Sequence, residues 1–140
     1  MATFNKFQSF ASHYPAGVHT LTAAGATLNY YLTFTAPNAS AHTVKTDLAE
    51  IGTGNGYTGP IDSGNTQSYT GGIFTVNLSA ATVTASGGDV EQFRYVVLYD
   101  DTPTDPADPL IGWWDRGSAI TLADGDAFGM HPAASLLTFG

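Results

Sequence analysis

The sequence predicts an all-β fold: a β-sandwich or jelly-roll-like body of about seven to nine short strands with one short helix. Three observations predict it. Thr, Val, Tyr, Phe and Gly are plentiful while Lys and Glu are scarce, which is the chemistry of strands and turns. Several segments alternate in side-chain character with a period of two. Turn signals recur roughly every 8–12 residues along the chain.

Taken in order, Phe4, Phe7 and Phe10 recur at a spacing of three. They predict a short N-terminal helix or an extended arm over residues 1–16, ended by Pro15 and Gly17. A single β domain is expected over residues 17–140. "GVHTL" is a short strand candidate. In "LNYYLTFTAP", Leu28, Tyr30, Leu32 and Phe34 share one face, and Asn29, Tyr31, Thr33 and Thr35 the other. Pro37 closes that strand, because it cannot continue a central ladder. Val44, Leu48 and Ile51 stand at helical spacing, with Thr46 and Asp47 available to cap, so about two turns of helix are expected before Gly52.

"GTGNGYTGP" is a glycine-rich loop whose backbone must take positive φ at several positions. Residues 62–72 continue as polar loop or edge strand. "IFTVN" and "ATVTAS" are the next strands, and Gly87-Gly88 turns the chain. "EQFRYVVLYD" is the longest strand and the expected centre of the sheet. "PLIGWWDRG" and "SAITLADGDAFGMH" supply two or three more, with "ADGD" a tight turn between them. "AASLLTFG" closes an edge.

Composition excludes several functions. The net charge is -8, and the four basic residues Lys6, Lys45, Arg94 and Arg116 form no cluster. A nucleic-acid binder neutralises phosphates with Lys and Arg, and an acidic lipid surface asks for the same charges. Neither partner is expected. There is no cysteine, so disulfides and thiolate metal sites are absent. The N-terminal residues lack the apolar stretch of a signal peptide. No run approaches the roughly 20 apolar residues of a membrane-spanning helix.

The densest group of chemistry-bearing residues is Asp100, Asp101, Asp105 and Asp108. A calcium loop would place acidic residues at alternate positions with a turn glycine and a terminal Glu. Here Pro103, Pro106 and Pro109 stand among them instead. The expectation is a solvated, proline-stiffened loop. Asp124 and Asp126 flank Gly125 and read as a turn. His13, His19, His42 and His131 show no close metal-ligand pairing. "GTGNGYTG" lacks the GK[ST] of a phosphate loop, and no GxSxG elbow occurs. No catalytic, cofactor or metal residue is assigned. Trp113 and Trp114 are adjacent, so on a strand they face opposite ways. One is expected in the core. The other, if its face is solvated, marks a partner contact.

Three blocks, "ATFNKFQSF", "VKTDLAEIGTGNGYTG" and "FRYVVLYDDTPTDPADPLIGWWDRGSAITLADGDAF", resemble a family of small structural proteins of tailed bacteriophages. The resemblance covers most of the chain, and the third block is its most specific part. It implies a virion component, similar in size to capsid decoration (cement) proteins, several of which have β-sandwich or jelly-roll folds. The implied role is to bind and stabilise the assembled major capsid shell from its outer surface, after synthesis in the host cytoplasm, as a dimer or trimer. The alternative is a tail or fibre component that binds a host glycan. Candidate partner contacts are Phe4, Phe7 and Phe10 on the N-terminal segment, with Trp113 and Trp114.

Overall fold

The computed structural model describes residues 3–21 and 27–139. The chain is all-β and antiparallel. In order it forms β1 (Phe4–Lys6), α1 (Gln8–His13), β2 (Leu28–Thr33), a 3₁₀ turn (Lys45–Asp47), β3 (Ile61–Asp62), β4 (Thr66–Thr70), β5 (Ile73–Asn77), β6 (Ala81–Thr84), β7 (Val90–Asp100), β8 (Leu110–Leu122), β9 (Ala127–Met130) and β10 (Leu137–Phe139). The main sheet has the order β1-β8-β7-β2-β3. Two smaller sheets, β10-β5-β4 and β6-β9, complete the fold.

Period two in the sequence becomes two faces of the main sheet. Leu28, Tyr30 and Leu32 of β2 join Val96 and Leu98 of β7 and Ile111 and Trp114 of β8 in the larger core. Val76, Val83, Met130 and Leu137 of the smaller sheets pack into that same core. Sheet therefore lies on sheet, the arrangement in which facing side chains exclude water. The opposite face carries a smaller cluster of Phe7, Tyr31, Leu48, Val97, Tyr99 and Leu110, with Trp113 packed against it. All six residues of β2 are buried because both faces are covered. Two polar members of its second face find backbone acceptors there. Thr33 Oγ1 donates to the Ala49 carbonyl at 2.5 Å, and Tyr31 Oη donates to the Lys45 carbonyl at 3.3 Å.

Several expectations change. "GVHTL" is not a strand; its His19 turns inward instead. The helix expected over Val44–Ile51 is a single 3₁₀ turn, because Leu48 already returns to extended backbone to bury its side chain. "PLIGWWDRG" and "SAITL" are one 13-residue strand, β8. β1 and β3 were not expected as strands; at 3 and 2 residues they are too short to show periodicity. β7 does lie inside the main sheet, between β8 and β2, but β8 rather than β7 is the longest strand. Residues 66–70, expected as loop or edge strand, form edge strand β4. The glycine-rich loop takes positive φ at Gly54, Asn55, Gly56 and Gly59, as its composition requires.

The N-terminal segment is sewn into the main sheet. β1 pairs antiparallel with β8, Phe4 opposite Trp114 and Lys6 opposite Gly112. A Cβ at position 112 would collide with the Phe4 ring and with the Asn5 backbone carbonyl. The carbonyl cannot swing away as a flexible side chain would. Gly112→Ala is expected to cost about 1–3 kcal/mol, the usual penalty of overpacking. Urea unfolding measures that loss, and faster proteolysis within the first residues shows that it lies in β1.

Candidate functional site

The candidate contact residues and the acidic loop meet around β1, α1 and the ends of β7 and β8. Phe7 and Phe10 are 1% and 4% exposed, and Trp114 is 2% exposed. The three side chains belong to the chain's own core. Phe4 packs tilted against Trp114 with ring centroids 4.8 Å apart, and Phe7 against Trp113 at 4.6 Å. Successive residues of β8 thus send one indole to each face of the sheet, and an N-terminal phenylalanine covers each. Phe4 and Trp113 remain half-buried at the rim. The aromatic triplet does not form one helix face: Phe4 lies in β1, Phe7 precedes α1, and Phe10 alone is helical.

The acidic loop divides. Asp100 is not solvated; its side chain is fully buried against that of His19. The His19 Nδ1–H donates to Asp100 Oδ2 at 2.9 Å, across 81 residues of sequence. The carboxylate oxygen is the acceptor, so the ring nitrogen that faces it is the donor. Asp100 Oδ1 accepts the Thr102 backbone N–H at 3.1 Å. The Phe10 ring lies 5.2 Å from the His19 ring and the His13 ring 6.2 Å from it. A buried charge needs such partners to be tolerated. The expected solvated loop begins after Asp100: Asp101 and Asp105 are exposed. Asp108 is half-buried at positive φ, and burial, then the neighbouring Asp101 carboxyl, push its carboxyl above the usual range.

His13 completes the group on α1. Burial first, and the neighbouring His19 second, hold its imidazole below the ordinary value of 6.5. The folded chain therefore resists a proton that the unfolded chain accepts. Stability is full above pH 6.5 and falls as pH drops through it toward the lower folded value. His13→Gln removes this dependence. Melting temperature followed between neutral pH and the carboxylate range is expected to fall less steeply in the variant. Equal slopes would show that another group carries the dependence.

A second polar network lies around Glu50. Lys45 Nζ donates to Glu50 Oε2 at 2.7 Å, and Tyr57 Oη donates to Glu50 Oε1 at 2.7 Å. The same Tyr57 oxygen accepts the Leu32 backbone N–H at 3.2 Å. Burial pushes the Tyr57 hydroxyl well above its ordinary range, so it remains a donor. The network fastens the glycine-rich loop to β2. Among the described residues, no group of three His, Cys, Asp or Glu side chains could hold a metal ion. No helix among them is long and apolar enough to cross a membrane.

An exposed surface outside the five candidate contact residues is the β4–β5 hairpin. All five residues of β4 are exposed. Tyr69 is 72% exposed and Ile73 is 48% exposed beside the Gly71-Gly72 turn. Residues 63–88 contain no Asp, Glu, Lys, Arg or His. That charge-free span was visible in the sequence and would have pointed here. Phe34, expected on the core face of β2, instead lies past the end of the strand and is 55% exposed. Comparison with family models, with curated proteins and with solved structures finds no match for this chain.

Proposed function

We propose that this protein is a structural component of a tailed-phage virion, a decoration protein that binds the outer surface of the assembled capsid shell. The observation that carries the reading is the exposed, charge-free hairpin around Tyr69 and Ile73 on a chain of net charge -8. Large apolar side chains left in water at a hairpin tip gain by burial against another protein. A surface without charges lets an acidic body approach a neighbour without like-charge repulsion. The three sequence blocks that resemble phage structural proteins support the same reading. Inward use of Phe7, Phe10 and Trp114 gives the contact role to Tyr69, Ile73 and Phe34 instead.

The test is to add purified protein to capsid shells that lack it and to image the particles by electron cryomicroscopy. Regular density on the head, weakened by Ile73→Ser or Phe34→Ser, is the expected result. Density confined to the tail overturns it. Tyr69 also favours a second reading, a tail or fibre module that stacks an aromatic ring on a host sugar. Glycan-array binding lost in Tyr69→Ala, together with tail density, is the outcome that selects it.

A further inference from the structure

We propose that the N-terminal segment, residues 3–17, is an acid-released strap: it covers the two indoles of β8 at neutral pH and leaves the folded body when His13 takes a proton. The proposal goes beyond the capsid reading and does not depend on it. The strap is tied down chiefly by its rings. Phe4 lies against Trp114, Phe7 against Trp113, and Phe10 is buried beside His19. Its regular structure is slight. β1 is a three-residue strand at the edge of the main sheet. α1 has six residues and no side-chain cap at its N-terminus, too short to persist as a helix once detached. The Phe7 N–H donates to the Ile111 carbonyl at 3.1 Å and the Gln8 N–H to the Ala39 carbonyl at 2.8 Å, which adds backbone ties to the body.

A polar cluster under α1 opposes closure. Ser9 and His13 stand four residues apart, on one face of the helix. The His13 ring lies 6.2 Å from the His19 ring. Ser9 Oγ, His13 Nδ1 and His19 Nε2 are buried, and none has a hydrogen-bond partner. Each such atom resists burial, and opening the strap returns it to water. A proton on His13 adds a charge to this site, beside a second imidazole. The surrounding elements give it no free carboxylate. Asp100 of β7 is engaged by His19, and Asp115 of β8 by Arg94. β10 has no charged residue, and Tyr14 stacks on its Phe139. Lys6 of β1 and His42, near Ala39, are basic. Burial first and His19 second hold the His13 imidazole below 6.5 in the closed chain, whereas the released segment titrates in water. Closure is therefore fully favoured above pH 6.5 and weakens as pH falls through it. Release bares two indoles and frees three phenylalanines, an apolar surface of the kind that binds another protein.

Amide hydrogen exchange of the full chain, expressed as protection factors to remove the intrinsic pH dependence of exchange, tests this. The amides of Phe7, Gln8 and Tyr14 report on the strap, and those of β2 report on the body. Between about pH 7.5 and about pH 5.5 the protection of the strap is expected to fall by about threefold to tenfold, the upper figure being the limit for one histidine of ordinary pKa. The β2 amides should keep theirs. His13→Gln should flatten the response of the strap. Protection lost equally in β2 and in the strap means that the whole fold opens, and overturns the proposal. A strap whose protection does not change overturns it, as does a change that persists in His13→Gln. The wild-type series alone decides the first two outcomes, whatever the stability of the variant. These measurements use no capsid, so their failure leaves the shell-binding test standing.

Discussion

Asp100→Ala is expected to destabilise the fold by about 3–5 kcal/mol, the cost of removing one partner from a buried pair. Both side chains of the His19–Asp100 pair are sealed from solvent. Taking away the carboxylate leaves the His19 Nδ1–H without an acceptor and the Thr102 N–H without its cap. It also opens a cavity at the end of β7, where Asp101 N–H donates to the Thr27 carbonyl at 2.9 Å. Against a total stability of about 5–15 kcal/mol for an ordinary domain, such a loss leaves little margin. His19→Ala should cost a comparable amount. The double variant should cost clearly less than the sum of the two, since neither partner is then stranded. Urea unfolding of the four proteins measures this, and strict additivity would mean that the pair contributes no coupling.

Trp114→Ala is the second large effect, also about 3–5 kcal/mol, the cost of emptying an aromatic side chain from a packed core. Trp114 lies between Phe4 on β1 and the Tyr30 ring of β2, whose centroid is 6.0 Å away. Removing it frees the N-terminal strand and opens the main core together. Trp113→Ala should cost less, because that indole is half-buried and its main ring contact is Phe7. Acrylamide quenching of the two single-tryptophan variants checks the ranking. The protein that keeps only Trp113 should quench more strongly than the one that keeps only Trp114. Equal quenching would contradict the one-indole-per-face arrangement.

Much of the fold is legible in the residues themselves. Alternation names β2 and β5, though it carries β2 past its end at Thr33 to Phe34, because the pleat sends successive side chains to opposite faces. Glycine at positions that need positive φ is equally local, and the loop at Gly54–Gly59 and the turn at Gly125 follow directly. That Trp113 and Trp114 face opposite ways is the same local geometry.

What the residues could not say is which faces would be covered. Asp100 reads as loop solvent chemistry because it stands at the head of an acidic, proline-rich run. It is buried because His19, 81 residues earlier, folds back to meet it. Val44, Leu48 and Ile51 read as a helix face, yet Leu48 takes extended backbone to fill the second face of the main sheet. Phe7 and Phe10 read as candidate partner contacts on a helix or arm, and contact with β8 and with His19 places them in the core instead. By itself the sequence determined an acidic, cysteine-free, antiparallel β chain with its turns in place. Only the tertiary structure decided which side chains meet, since burial and ion pairing depend on contacts between segments far apart in the chain. Those contacts turn the aromatic N-terminus inward and leave the uncharged hairpin exposed.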